Sequence, residues 1–286
     1  MGVGGEPLIG YAMVAIWGRF VAMVTTCKAE SVTFIKIKHP MKASFFWMAG
    51  AAMALVACDG GDGPEPVPVT LTFNLEVNGE PLSLGSDLDY VSEDGLLYSI
   101  HDFKVYLSQL ALTTAEGAYE EPDSYHLLAP GADQAQVQLV LSEVPGGVYQ
   151  GLRLAVGVDS AANRSLDQRG DLNPSNQMAW NWNTGYKFVL LEGEFQQGDS
   201  LRPLVFHIGL NSNYAKQVLP FGGDLDLTEG KGVTLTFTLD IGELFRNPNT
   251  IAFAETNNLK FEPETAQVAE NWLDSFIQLE AIQLEP

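Results

Sequence analysis

Apolar and polar residues alternate with a period of two along most of the chain after residue 68. Val69-Thr-Leu-Thr-Phe-Asn-Leu-Glu-Val77 is the clearest case: every second side chain is apolar, as a strand with one buried face requires. The same pattern predicts strands over Lys104–Leu112, Val137–Leu141, Val148–Val158, Tyr186–Phe195, Leu204–Leu210, Val233–Ile241 and Phe276–Leu284. Turn residues separate them, among them Asn78-Gly79, Glu93-Asp94-Gly95, Pro145-Gly146-Gly147 and Glu229-Gly230-Lys231-Gly232. Helical periodicity is confined to a short piece at Glu264–Leu273 and a turn at Glu243–Arg246, and no internal repeat is evident. Many short strands joined by polar turns predict an all-β fold, an antiparallel β-sandwich in a single domain over residues 69–286.

The pattern changes before residue 69. From Met41 the chain has a basic start, an apolar run from Ala43, and the small-residue close Leu55-Val-Ala-Cys58. This is the layout of a secretory signal peptide over 41–57. The close resembles the lipobox of bacterial lipoproteins, in which Cys58 becomes the lipidated first residue. The run is shorter than the roughly 20 residues that span a bilayer. Residues 58–68, rich in Gly, Pro and Asp, read as a flexible tether. Residues 1–40 lie upstream of this signal and read as a mis-start at Met1 or an extra segment. Within them Leu8–Thr26 is apolar but broken by Arg19, which leaves a first membrane helix as the alternative. The expected location is therefore extracytoplasmic, on a membrane through a lipid anchor, with inner and outer membrane undistinguished.

Charge narrows the function classes. Lys and Arg number 15 against 36 Asp and Glu, a net charge of −21, so a phosphate backbone would be repelled and nucleic acid is excluded as a partner. Cleavage before Cys58 removes five basic residues (Arg19, Lys28, Lys36, Lys38, Lys42) and only two acidic ones (Glu6, Glu30), which deepens the imbalance. Cys27 and Cys58 are the only cysteines, so the domain holds no internal disulfide and no thiolate metal site.

Few residues carry candidate chemistry. His101, His126 and His207 are the histidines of the domain. Neutral imidazole suits copper and zinc, although a half-buried histidine bonded to the backbone is the commoner use. Trp180 and Trp182 flank Asn181 and would share one side of an extended segment, as a binding platform, a relay or core packing. They close a long irregular stretch, Asp159–Asn183, of the length that carries function or disorder. Its Asp159, Asp167, Asp171 and Asn173 are candidate oxygen ligands for calcium, without EF-hand spacing, and a solvated acidic loop is the default reading. Asn163-Arg-Ser165 fits a glycosylation acceptor but is uninformative in a bacterial-type lipoprotein. Nothing nominates a catalytic mechanism.

Several segments taken in order resemble the MbnP-like family, periplasmic copper-binding proteins associated with methanobactin. They are Tyr98-Ser-Ile-His-Asp-Phe-Lys-Val-Tyr-Leu-Ser108, Gly157-Val-Asp-Ser160, Gly170-Asp-Leu-Asn-Pro174, Met178-Ala-Trp-Asn-Trp-Asn-Thr-Gly-Tyr186, Leu191-Glu-Gly193 and Phe206-His-Ile-Gly209. The resemblance covers about Val69–Gln283. It implies a β-rich, secreted or lipid-anchored protein that binds copper and is not an enzyme. It further implies that a tryptophan is oxidised to kynurenine by a partner dihaem enzyme of the cytochrome c peroxidase/MauG-like group. By position, Trp180 or Trp182 would be the modified residue and His207 and His101 the ligands. Two departures stand out: Ala179 replaces an aromatic common in the family, and the C-terminal end lacks the histidine found in relatives. The rival expectation is a cell-surface module that keeps the fold and binds carbohydrate, calcium or protein.

Overall fold

The computed structural model describes residues 10–16, 19–25 and 34–35, and then 65–132, 134–165, 168–181 and 185–285. The chain divides into two units, Met1–Cys58 and Asp59–Pro286. In the first, strands Gly10–Ile16, Arg19–Thr25 and Phe34–Ile35 pair antiparallel in one small sheet. The expected signal peptide, Cys58 and most of the tether lie outside the described residues. Among the described residues no helix is long and apolar enough to cross a membrane.

The second unit is built from β1 (Val67–Val77), β2 (Leu97–Thr113), β3 (Tyr125–Leu128), β4 (Gln136–Val144), β5 (Val148–Val156), β6 (Ala179–Asn181), β7 (Gly185–Gln197), β8 (Ser200–Gly209), β9 (Ala215–Asp226), β10 (Val233–Asp240), β11 (Asn258–Leu259), α1 (Thr265–Asn271) and β12 (Ile277–Leu284). A smaller sheet runs β4–β1–β10–β12. A larger one runs β9–β5–β2–β7–β8–β11, with β3 on the other edge of β2 and β6 on β7. The two pack as the expected all-β sandwich. Each predicted strand is present, and the helix and turn appear as α1 and a 3-10 turn at Ile241–Phe245.

Three features were not expected. The sheets are mixed, because β1 and β10 pair parallel and so do β8 and β11. The parallel pair β1 and β10 also aligns two nearly identical stretches, Val69-Thr-Leu-Thr-Phe-Asn-Leu-Glu76 and Val233-Thr-Leu-Thr-Phe-Thr-Leu-Asp240, residue for residue. Their apolar members face one core, where Phe73 and Phe237 stack at 5.3 Å, and their threonines lie on the opposite face of the sheet. The third is β9, whose mostly exposed side chains, Pro220 and Gly222-Gly223 leave no clean alternation to read.

β2 is the longest strand, and its partner on one edge changes midway. Tyr98 to Val105 pair with β7, whereas Leu107 to Thr113 pair with β5. At the division between β5 and β7, the Gly157 N–H donates to the Tyr106 carbonyl and Gly157 adopts φ +108°. The long stretch that follows is anchored to the sheet: the Tyr106 hydroxyl donates to the Asp171 carbonyl and the Tyr186 hydroxyl to that of Leu172, both at 2.7 Å. It consists of three 3-10 turns followed by β6.

Candidate metal centre

On β7 the apolar alternation yields to Glu192 and Glu194, two residues apart and therefore on the same face. That face is the one opposite the core, because Leu191 and Phe195, which flank the two acids, are fully buried. His207 on β8 pairs with Leu190, which in turn pairs with Lys104 of β2. The Nε2 atom of His207 lies 2.7 Å from Oε1 of Glu192. His101 occupies a bulge: Ile100 pairs with Gly193 and Asp102 with Glu192, which leaves His101 as the extra residue. Its Nε2 lies 3.2 Å from the Ser99 hydroxyl and 3.9 Å from Oε1 of Glu194. The structure thus places His101 and His207 on one outer face, each beside a carboxylate of the strand between them.

Their surroundings differ. His101 is exposed, whereas His207 is half-buried. Burial holds the His207 pKa below the ordinary imidazole value; the Glu192 hydrogen bond opposes that shift, and the charges of Lys187 and Lys260 reinforce it. Burial likewise lowers the pKa of Lys187, whose ammonium donates to the Gln177 carbonyl at 2.7 Å. Lys104 is held by Asp102 at 2.9 Å.

Trp180 is on β6, whose Ala179 and Asn181 pair with Tyr186 and Gly185 at the start of β7. Its ring meets Phe261 edge-on with centroids 4.0 Å apart, and Phe261 follows Lys260, whose charge acts on His207. The Trp180 indole N–H is buried without an acceptor among the described residues, while Phe261 is 51% exposed. Trp182 lies outside the described residues.

The other candidates are elsewhere. His126, on β3, pairs with Leu107, which shares the buried face of β2 with Phe103 and Val105; Lys104, on His207's side, faces the other way. Its Nε2 lies 2.7 Å from Oε2 of Glu121. The calcium candidates are committed to local structure. Asp159 accepts from the backbone of Ala161 and Ala162, the Tyr125 hydroxyl and Gln109. Burial alone would raise the pKa of Asp159, but these hydrogen bonds prevail and lower it. An Asp171 carboxylate oxygen accepts from the Leu127 N–H at 2.7 Å, and Asn173 caps the turn at Ser175. Asp167 lies outside the described residues.

Among the described residues no three His, Cys, Asp or Glu side chains converge to hold a metal. His101 and His207 stand two strand spacings apart across the sheet, about 10 Å, and are offset along the strands as well, His207 lying level with Leu190 and His101 beside Gly193. To share one ion, both rings must lean inward over β7, and a third donor must come from outside those four residue types. Imidazole nitrogen is a donor that zinc, copper, iron and nickel all accept, so the residue types alone select no metal. The sequence reading missed Glu192 and Glu194. Their signal was two acids at strand spacing inside an otherwise apolar run.

A solved structure, MbnP from Methylosinus trichosporium, is similar at 20% identity and a TM-score of 0.40, over 59% of this chain and 75% of that one. No curated protein sequence matches. The family model for MbnP matches residues 66–264, and the chain belongs to the MbnP family.

Proposed function

We propose that this protein is an extracytoplasmic, lipid-anchored copper-binding protein with no turnover of its own. His101 and His207 supply imidazole nitrogens, and a kynurenine supplies the remaining donor; a partner dihaem enzyme forms it from Trp180 or Trp182 by cleaving the indole C2–C3 bond with both atoms of dioxygen as oxidant, and hydrolysis releases C2 as formate. The observation that carries this reading is the placement of two histidines on one sheet face, His207 hydrogen-bonded to Glu192 and His101 near Glu194. An unmodified indole could not complete such a site, because its nitrogen lone pair belongs to the ring. Bound copper would be held without thiolate, consistent with a domain that contains no cysteine after Cys58.

The test expresses the full chain in a bacterial host with and without a dihaem enzyme of the cytochrome c peroxidase/MauG-like group. Intact mass reads the tryptophan, equilibrium dialysis reads copper, and labelling with a fatty-acid analogue reads the anchor. The expected result is an oxygen-dependent mass change that depends on the dihaem enzyme, copper retained at equimolar loading, and label lost in Cys58→Ala. An unchanged tryptophan mass with no retained copper overturns the proposal. The second reading, a surface contact module without copper, draws on the exposed Phe261 ring against Trp180.

A further inference from the structure

Glu192 is not among the groups that would hold the metal, yet it makes the closest polar contact to His207. An ionised carboxylate has no proton to donate, so the hydrogen in this contact must belong to the imidazole. The proton therefore sits on Nε2, and Nδ1 is left with the lone pair. A ligating nitrogen must be unprotonated, which makes Nδ1 the only nitrogen of a neutral His207 able to bind a cation. The strand geometry holds this arrangement in place. His207 pairs with Leu190, and Glu192 lies two residues further along the same face of β7, at the diagonal position from which a long side chain reaches across. Glu192 is flanked by Asp102 through its own pairing; Asp102 engages Lys104, and the Lys187 ammonium nearby donates to the Gln177 carbonyl.

We propose that Glu192 is the positioning residue of the centre: it fixes the tautomer and ring orientation of His207, so that Nδ1 is the nitrogen presented to a metal. Its role toward copper rests on the function proposed above; its hold on the tautomer does not. An acceptor-only partner admits one tautomer. An amide in its place can also donate, which admits the other. Glu192→Gln keeps the size and removes that selectivity, and Glu192→Leu removes the contact. The Glu192 side chain is 47% exposed, so both variants are expected to fold.

The experiment uses the full chain, metal-free, with nitrogen-15 histidine, and reads the two ring nitrogens of His207 by long-range nitrogen–proton correlation. The wild type is expected to show Nε2–H alone, and Glu192→Gln a mixture with Nδ1–H. Copper dialysis on the same proteins co-expressed with the dihaem enzyme is expected to weaken 10- to 100-fold in both variants, roughly the range for loss of an outer-shell partner, with unchanged thermal midpoints. A wild-type His207 protonated at Nδ1, or a nitrogen pattern identical in wild type and Glu192→Gln, overturns the proposal. If the wild type shows the expected tautomer but retains no copper, the copper function fails while the hold of Glu192 on the ring stands.

Discussion

Gly157 and Phe188 occupy the same small volume at the point where β5 and β7 part: a β-carbon on Gly157 would lie 2.4 Å from Cδ2 of the Phe188 ring. Phe188 is itself fully buried in the irregularity between Lys187 and Val189. Gly157→Ala combines this clash with a positive φ and is expected to destabilise the domain by about 3 kcal/mol. Urea unfolding followed by tryptophan fluorescence checks this. A loss below a few tenths of a kcal/mol would contradict the packing described.

Asp159 makes stability depend on acid. Its folded pKa is lowered, so the unfolded state takes up its proton at the higher pH. The contribution is complete above the ordinary Asp value of about 3.9 and is lost as pH falls through the lower folded value. Asp159→Asn is expected to be less stable at neutral pH and to show a smaller further loss on acidification, read from urea midpoints across that window.

Asn163 holds the long loop against the sheet. Its carbonyl oxygen accepts from the buried Tyr186 N–H at 2.8 Å, and its amide donates to Asn211. Asn163→Ala leaves the Tyr186 N–H without its partner, at an expected cost of about 2 kcal/mol. Amide exchange at Tyr186 is expected to accelerate before that of the smaller sheet. The same burial removes Asn163 as an accessible glycan acceptor.

The three histidines separate by face. His207→Ala and His101→Ala are each expected to lower copper retention at least tenfold, whereas His126→Ala is expected to leave it within twofold, as a residue on the other side of β2 should. Equilibrium dialysis at equimolar copper distinguishes them. Equal losses in all three would refute this assignment.

Strand positions were legible because Leu71, Phe73 and Leu75, like Leu235, Phe237 and Leu239, are buried at every second residue. β9 was not, because it lies at the edge of the larger sheet and few of its side chains face the core. The candidate site was legible only as residue types. The partners of His207 and His101 lie on another strand, and which carboxylate meets which ring depends on register and on the bulge at His101. Alternation predicts a side chain's face but not its neighbour across the sheet. The commitment of Asp159 and Asp171 to backbone donors is equally a matter of three-dimensional approach.

The parallel alignment of Val69–Glu76 with Val233–Asp240 sets an order of events for the chain. All of the larger sheet except the two-residue β11 lies between these strands in sequence, so they can meet only after most of the domain has been made. Such long-range pairing is slow to form. Until then the edge of Val69-Thr-Leu-Thr-Phe away from β4 is open, on an uncharged, proline-free segment of high β-propensity. Its most similar match is its own later copy, and in a crowded population the same copy is present on every neighbouring chain. The centre of this sandwich is therefore also the place where two nascent molecules would most readily exchange strands.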